Sequence, residues 1–153
     1  MFNATKIKRR LKYSYIAAFA GFLFGFDTIV ISGVDQKLQE LWGSTDLFHG
    51  LVVVGMALWG TVIGAILGGL PTSYFGRKKT LLYIGYLYSI SAIGSAICSD
   101  PVTFAFFRFI GGVGIGISTI AAPAYISEIS ASNERGKLVG YYQLNIVVGI
   151  LFA

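Results

Sequence analysis

Charge is scarce in this chain. Aspartate, glutamate, lysine and arginine make up only 12% of its 153 residues, about half the roughly 25% usual in soluble domains. Histidine and cysteine are scarcer still, with one of each. Cys98 lies in an apolar segment, with no second thiol to bond and no metal-ligand spacing around it. His49 stands alone just before a hydrophobic run, and is expected to be an interfacial residue. No set of residues has the spacing of a metal site, and no pair resembles a catalytic dyad. Neither a metal centre, a bound cofactor nor a conventional enzyme site is expected. An ordinary soluble domain is excluded as well. Apolar residues make up 55% of the chain, more than a fold of this size can hide from water, so lipid must be the solvent.

Long apolar runs are what the sequence has instead. Four complete segments can be read at roughly 13–34, 48–72, 80–98 and 102–127. A fifth begins near Leu138 and reaches Ala153, short of the about 20 residues a span needs. The expected class is an all-α, multi-pass membrane protein with short links and no soluble domain. The opening KIKRRLK followed by apolar residues has the outline of a signal peptide. Its apolar run continues past the weak Ala18-Phe19-Ala20 cleavage candidate and three more runs follow, so a retained helix is expected. Asp100-Pro101 supplies a helix start, an N-cap acceptor followed by proline at the first helical position.

The placement of the cations sets an orientation. Lys6, Lys8, Arg9, Arg10 and Lys12 precede the first span, Arg77, Lys78 and Lys79 follow the second, and Arg135 and Lys137 follow the fourth. The opposite links hold Lys37 beside Asp35, Glu40, Asp46 and Asp100. Ten of the twelve basic residues thus fall on one side, which the positive-inside rule makes cytoplasmic, with the N-terminus inside. The net charge of +5 then reflects topology, and no nucleic-acid partner is expected.

Glycine is plentiful, 20 residues in all, and recurs at four-residue intervals inside the spans. Gly21 and Gly25, then Gly60, Gly64 and Gly68, then Gly112 and Gly116 each put small residues on one helix face. Such faces let neighbouring backbones approach closely.

Two charges lie deep inside spans. A carboxylate such as Asp27 costs about 2.5–3.5 kcal/mol near the middle of a membrane helix. Asp27 precedes Asp35, the first charge outside, by eight residues; Arg108 follows Asp100 by eight. Both therefore lie about 12 Å below the outer surface, and pairing resolves the cost of burying each. Asp27 shares its face with Ala20, Phe24 and Ile31; Arg108 shares its face with Gly111, Gly112 and Ile115. The helix is bare beside the guanidinium, so another helix can come close there, and the geometry permits the pair. A structural salt bridge and a proton site are both open readings. An adjacent arginine favours the carboxylate, whereas separation in a desolvated site favours the neutral acid. A carboxyl that gains a proton as its arginine moves away is the minimal part of a proton-coupled carrier.

Four stretches carry a resemblance: GFLFGFDTIVISG in the first span, GGLPTSYFGRKKTLL after the second, RFIGGVGIGISTIAAPAYISEI through the fourth, and ERGKLVGYYQLNIVVGI at the end. In this order they resemble the sugar porter family of the major facilitator superfamily. The resemblance implies a fold of twelve helices in two six-helix halves that rock about a midplane sugar site. The chain then corresponds to the first four helices and part of the fifth, an incomplete N-terminal half whose partners are the missing C-terminal half, the lipid bilayer and a small-molecule sugar.

Residue by residue, the resemblance makes Asp27 the acidic position of proton-coupled symporters and Arg108 its partner, with the proton as coupling ion. It makes Phe24 and Gln143 sugar-contacting positions. Gln143 lies six residues beyond Lys137, about 9 Å into its span, and its amide can donate to and accept from hydroxyls; an interhelical hydrogen bond is the alternative. Asn145, two positions on, points elsewhere on the helix and is assigned only the interhelical hydrogen bond. Gly76, Arg77, Lys78, Glu128 and Arg135 match a charge network that latches the cytoplasmic gate. Ser73-Tyr74 departs from the Asp-Arg often found there. The expected function is proton:monosaccharide symport in the inner or plasma membrane. The alternatives are a facilitator or exchanger for another small polar solute, and a transport-incompetent sugar sensor or subunit.

Overall fold

A computed structural model describes the backbone from residue 4 and the side chains from residue 13 to residue 153. Lys6, Lys8, Arg9, Arg10 and Lys12, five of the cations that set the expected orientation, lie outside the residues with described side chains. Among the described residues every regular element is a helix. They are α1 (Ala4–Trp42), α2 (Asp46–Leu67), α3 (Arg77–Ile97), α4 (Pro101–Ile129) and α5 (Arg135–Phe152), with a short helix, Gly69–Tyr74, after α2. The first four contain segments long and apolar enough to cross a bilayer. The chain is an integral, multi-pass membrane protein.

The expected spans are all present, but α1 runs eight residues past Val34. A charge ends an apolar run without ending a helix, and Gln, Lys, Leu and Glu all favour helix. The segment from Tyr13 alone is 30 residues, or about 45 Å, against a hydrocarbon core of about 30 Å. The last two turns therefore project beyond it. Gly43, at φ +56, then stops the helix. Its N–H bonds to Glu40 O and that of Ser44 to Gln39 O, each at 3.3 Å, the paired bonds of a Schellman cap. At the other end of α2 the helix breaks at Gly68 instead of running on to 72. Pro71 lacks the N–H that would reach the Leu67 carbonyl, so the ladder fails there. The start of α4 is as expected: Asp100 accepts from the Thr103 N–H at 2.8 Å, with Pro101 next in line.

Two glycine seams hold the bundle. Along α2 and α4, a Cβ at Gly60 would stand 2.3 Å from Phe109 O, one at Gly64 2.3 Å from Val113 O, and one at Gly116 2.2 Å from Thr61 O. No side chain fits such gaps. Along α1 and α5, a Cβ at Gly21 would meet Tyr142 O at 2.4 Å and one at Gly25 would meet Ile146 O at 2.0 Å. Both pairs run parallel. Exchanging α1 with α4 and α2 with α5 turns one seam into the other, as an internal repeat requires. At the end bearing Arg77 and Arg135, the basic end, Ala17, Ala18, Ala122, Ile126, Leu138 and Tyr142 form a buried cluster joining α1, α4 and α5.

Candidate functional site: a buried ion pair between α1 and α4

The two deep charges meet. Arg108 Nη1 donates to Asp27 Oδ1 at 2.5 Å, across 81 residues of sequence. The arginine side chain is 9% exposed and the aspartate 29%, so the carboxylate is the member with room to move. Asp27 and Arg108 thus meet at one level, as their equal eight-residue offsets from Asp35 and Asp100 predict.

Other helices do come close beside Arg108, as its bare face predicts. At Gly112 a Cβ would meet Ala57 O of α2 at 2.1 Å. Gly111 receives α3, where Ser91 Oγ donates to Phe107 O at 2.7 Å. The bare flank of Arg108 thus seats α2 and α3, which fix α4 from two sides. Asp27 is reached by the length of the arginine side chain. Identical spacing on α4 could not say which neighbour filled it.

Phe24, one turn before Asp27, is half-buried, and its carbonyl accepts from Thr28 Oγ1 at 2.8 Å. Gln143 is exposed on α5, beside the seam residue Tyr142, and its amide bonds to no other described residue. Asn145 bonds back to Tyr141 O at 2.8 Å, within α5 and not across to another helix as expected, because the carbonyl one turn back is within reach of its short amide.

At the basic end the structure joins part of the expected network. Arg77 Nε donates to Glu128 Oε1 at 2.8 Å, and its Nη1 to Thr72 O at 3.0 Å. Gly76 turns into α3 at φ +80, where a residue with a Cβ would be strained. Lys78 forms no ion pair among the described residues and instead walls a cavity between α1 and α3. Arg135 opens α5 with its N–H on Ala131 O at 3.1 Å, and its side chain joins no ion pair among the described residues. Ser73, the departure from the family pattern, donates to Leu70 O at 3.0 Å.

His49, read from the sequence as an interfacial residue, is 2% exposed. Its Nε2 lies 2.8 Å from Asp35 Oδ1 and its Nδ1 3.0 Å from Ser44 Oγ. With Gln39 on Asp46 at 2.6 Å and Trp42 Nε1 on Ser99 O at 3.2 Å, it clasps the projecting end of α1 to α2 and α4. Hydropathy ends α1 at Asp35, so nothing in the apolar pattern brings Asp35 to His49.

Known proteins match along nearly the whole chain. The family profile described as sugar (and other) transporter matches residues 13–153. A glucose transport protein of Synechocystis sp. is 40% identical over 151 residues, covering 99% of this chain and 32% of its own. An arabinose-proton symporter of Bacillus subtilis is 38% identical, covering 90% of this chain and 29% of its own. Among solved structures, the Escherichia coli proton:xylose symporter XylE bound to 6-bromo-6-deoxy-D-glucose matches at TM-score 0.84 and 32% identity, over 99% of this chain and 36% of that one. Its inward-open form matches at 0.82. The chain spans about a third of the length of these relatives. It belongs to the sugar porter family of the major facilitator superfamily and corresponds to the N-terminal part of that fold.

Proposed function

We propose that this chain is the N-terminal portion of a proton-coupled monosaccharide transporter of the cell membrane, with its N-terminus in the cytoplasm. The single observation that carries the reading is the buried Asp27–Arg108 pair. A buried pair is seldom the cheapest way to hold helices together, and ionisable residues inside a membrane mark ion or substrate paths. The relatives named as proton symporters of arabinose and xylose support the same class.

In this mechanism Arg108 holds Asp27 as the carboxylate while the two are in contact. Movement of Asp27 away from the guanidinium leaves a carboxylate in a low-dielectric site, which favours its taking a proton from outside. Sugar binds near Phe24 and Gln143, and the exposed amide of Gln143 is free to donate to and accept from hydroxyls. Rocking of this half against a C-terminal half exposes both cargoes inward. The Arg77–Glu128 bond, with Gly76, Lys78 and Arg135 nearby in sequence, belongs to a cytoplasmic latch, and as an exposed pair it contributes modestly.

The test uses the complete reading frame in membrane vesicles. With radiolabelled glucose, arabinose and D-xylose as probes, Asp27→Asn abolishes accumulation driven by a proton gradient and spares sugar exchange. Undiminished accumulation by that variant refutes the reading.

A further inference from the structure

Tyr88 of α3 lies near the ion pair, and no step of the mechanism uses it. Its hydroxyl is buried and bonds to no described residue. Its placement is set from two sides. One turn along α3, Ser91 is tied to Phe107 O and packed on Gly111, the residues flanking Arg108 on α4. On the other side the Tyr88 ring walls a cavity of about 340 Å³ together with Ala20 and Leu23. Those residues precede Asp27 by seven and four, on the α1 face that carries the carboxylate.

The ionisable groups around this point are few. Asp27, Arg108 and Tyr142 are the ionisable groups near enough to bear on the Tyr88 hydroxyl. Among the described residues α2 carries no ionisable residue between Gly50 and Leu67. Tyr142 OH is buried as well, facing Ser118 without a well-formed hydrogen bond.

A hydroxyl left without a bond in a low-dielectric interior is costly. While Arg108 holds the carboxylate, Tyr88 makes no bond to it. Once the two separate, a neutral acid needs an acceptor for its own O–H, and burial makes that need strong. Resting on the proton-coupled reading above, we propose that Tyr88 is a positioning residue for Asp27: its oxygen accepts the O–H of the protonated carboxyl after Arg108 has let go. The hydroxyl is idle in one state and bonded in the other, so it favours the protonated, released state specifically.

Tyr88→Phe removes the hydroxyl and keeps the ring that walls the cavity. In membrane vesicles carrying the complete protein, radiolabelled glucose uptake is measured against external pH, with glucose exchange as the control and Asp27→Asn alongside. Loss of one neutral hydrogen bond makes the protonated state harder to populate, about three- to tenfold. The pH of half-maximal coupled uptake then falls by about 0.5–1, and exchange is unchanged. A profile that superimposes on the wild type overturns the inference. So does loss of exchange together with uptake, which makes the hydroxyl part of the fold or the sugar seat. If Asp27→Asn still accumulates glucose, the proton-coupled reading fails first and this inference falls with it. If Asp27→Asn is uncoupled and Tyr88→Phe unshifted, only the inference fails.

Discussion

Replacing Gly112 by alanine adds one methyl group where two helix backbones meet. The new Cβ stands 2.1 Å from Ala57 O, whereas ordinary van der Waals contact begins at 3.4 Å. Neither partner atom belongs to a movable side chain, so α2 and α4 must part by about 1.3 Å. Overpacking of this kind costs about 1–3 kcal/mol, and a gap of that size forfeits a quarter or more of the dispersion energy of facing atoms, by roughly the scale set for 0.5–1 Å. Alanine is also a better helix former than glycine, by about 1 kcal/mol, which partly masks the loss. Gly85→Ala removes that ambiguity, because a Cβ at Gly85 meets nothing within 4 Å. The propensity gain cancels between the two variants, leaving Gly112→Ala less stable than Gly85→Ala by about 1–3 kcal/mol. Thermal unfolding in detergent, followed by circular dichroism, reads the difference directly. Equal melting temperatures would show that the α2–α4 seam is not closed as described.

Two further outcomes follow from the polar groups. Arg108→Gln leaves the Asp27 carboxylate without its partner, and because Asp27 is partly exposed the loss falls at the low end of about 3–5 kcal/mol. Adding Asp27→Asn returns most of it, so the double variant melts above Arg108→Gln; a double variant that melts no higher contradicts the pairing. At the helix start, the Thr103 N–H bonded to Asp100 holds that carboxyl below its usual range. A lowered folded value means stability that is fully present above the ordinary carboxylate value of about 3.9, and lost as pH falls through the folded one. Asp100→Asn keeps a capping acceptor but does not titrate, so its melting temperature changes less with acidification than the wild type's. Identical slopes would refute this.

Features set by spacing along one helix were legible in the sequence. The equal eight-residue offsets of Asp27 and Arg108 gave their common depth, the four-residue glycine intervals gave two seams, and Asp100-Pro101 gave a capped start. Features set by partners were not. The glycines beside Arg108 announced a close neighbour without saying that it was α2 and α3. Hydropathy ended α1 at Asp35 because polar residues leave the hydrocarbon, while the backbone stayed helical to Trp42. The burial of His49 depended on that extension and was lost with it. The family resemblance placed Gln143 beside sugar, and the structure adds only that its amide is exposed and unengaged by other described residues.

The central claim is that Asp27 carries the proton that moves with sugar, and sugar-induced alkalinisation of a lightly buffered medium tests it most directly. Added to de-energised cells expressing the complete protein, the transported sugar draws protons inward and raises the external pH in the wild type. Asp27→Asn takes up the same sugar down its gradient with no pH change. Alkalinisation of equal size in that variant would contradict the account.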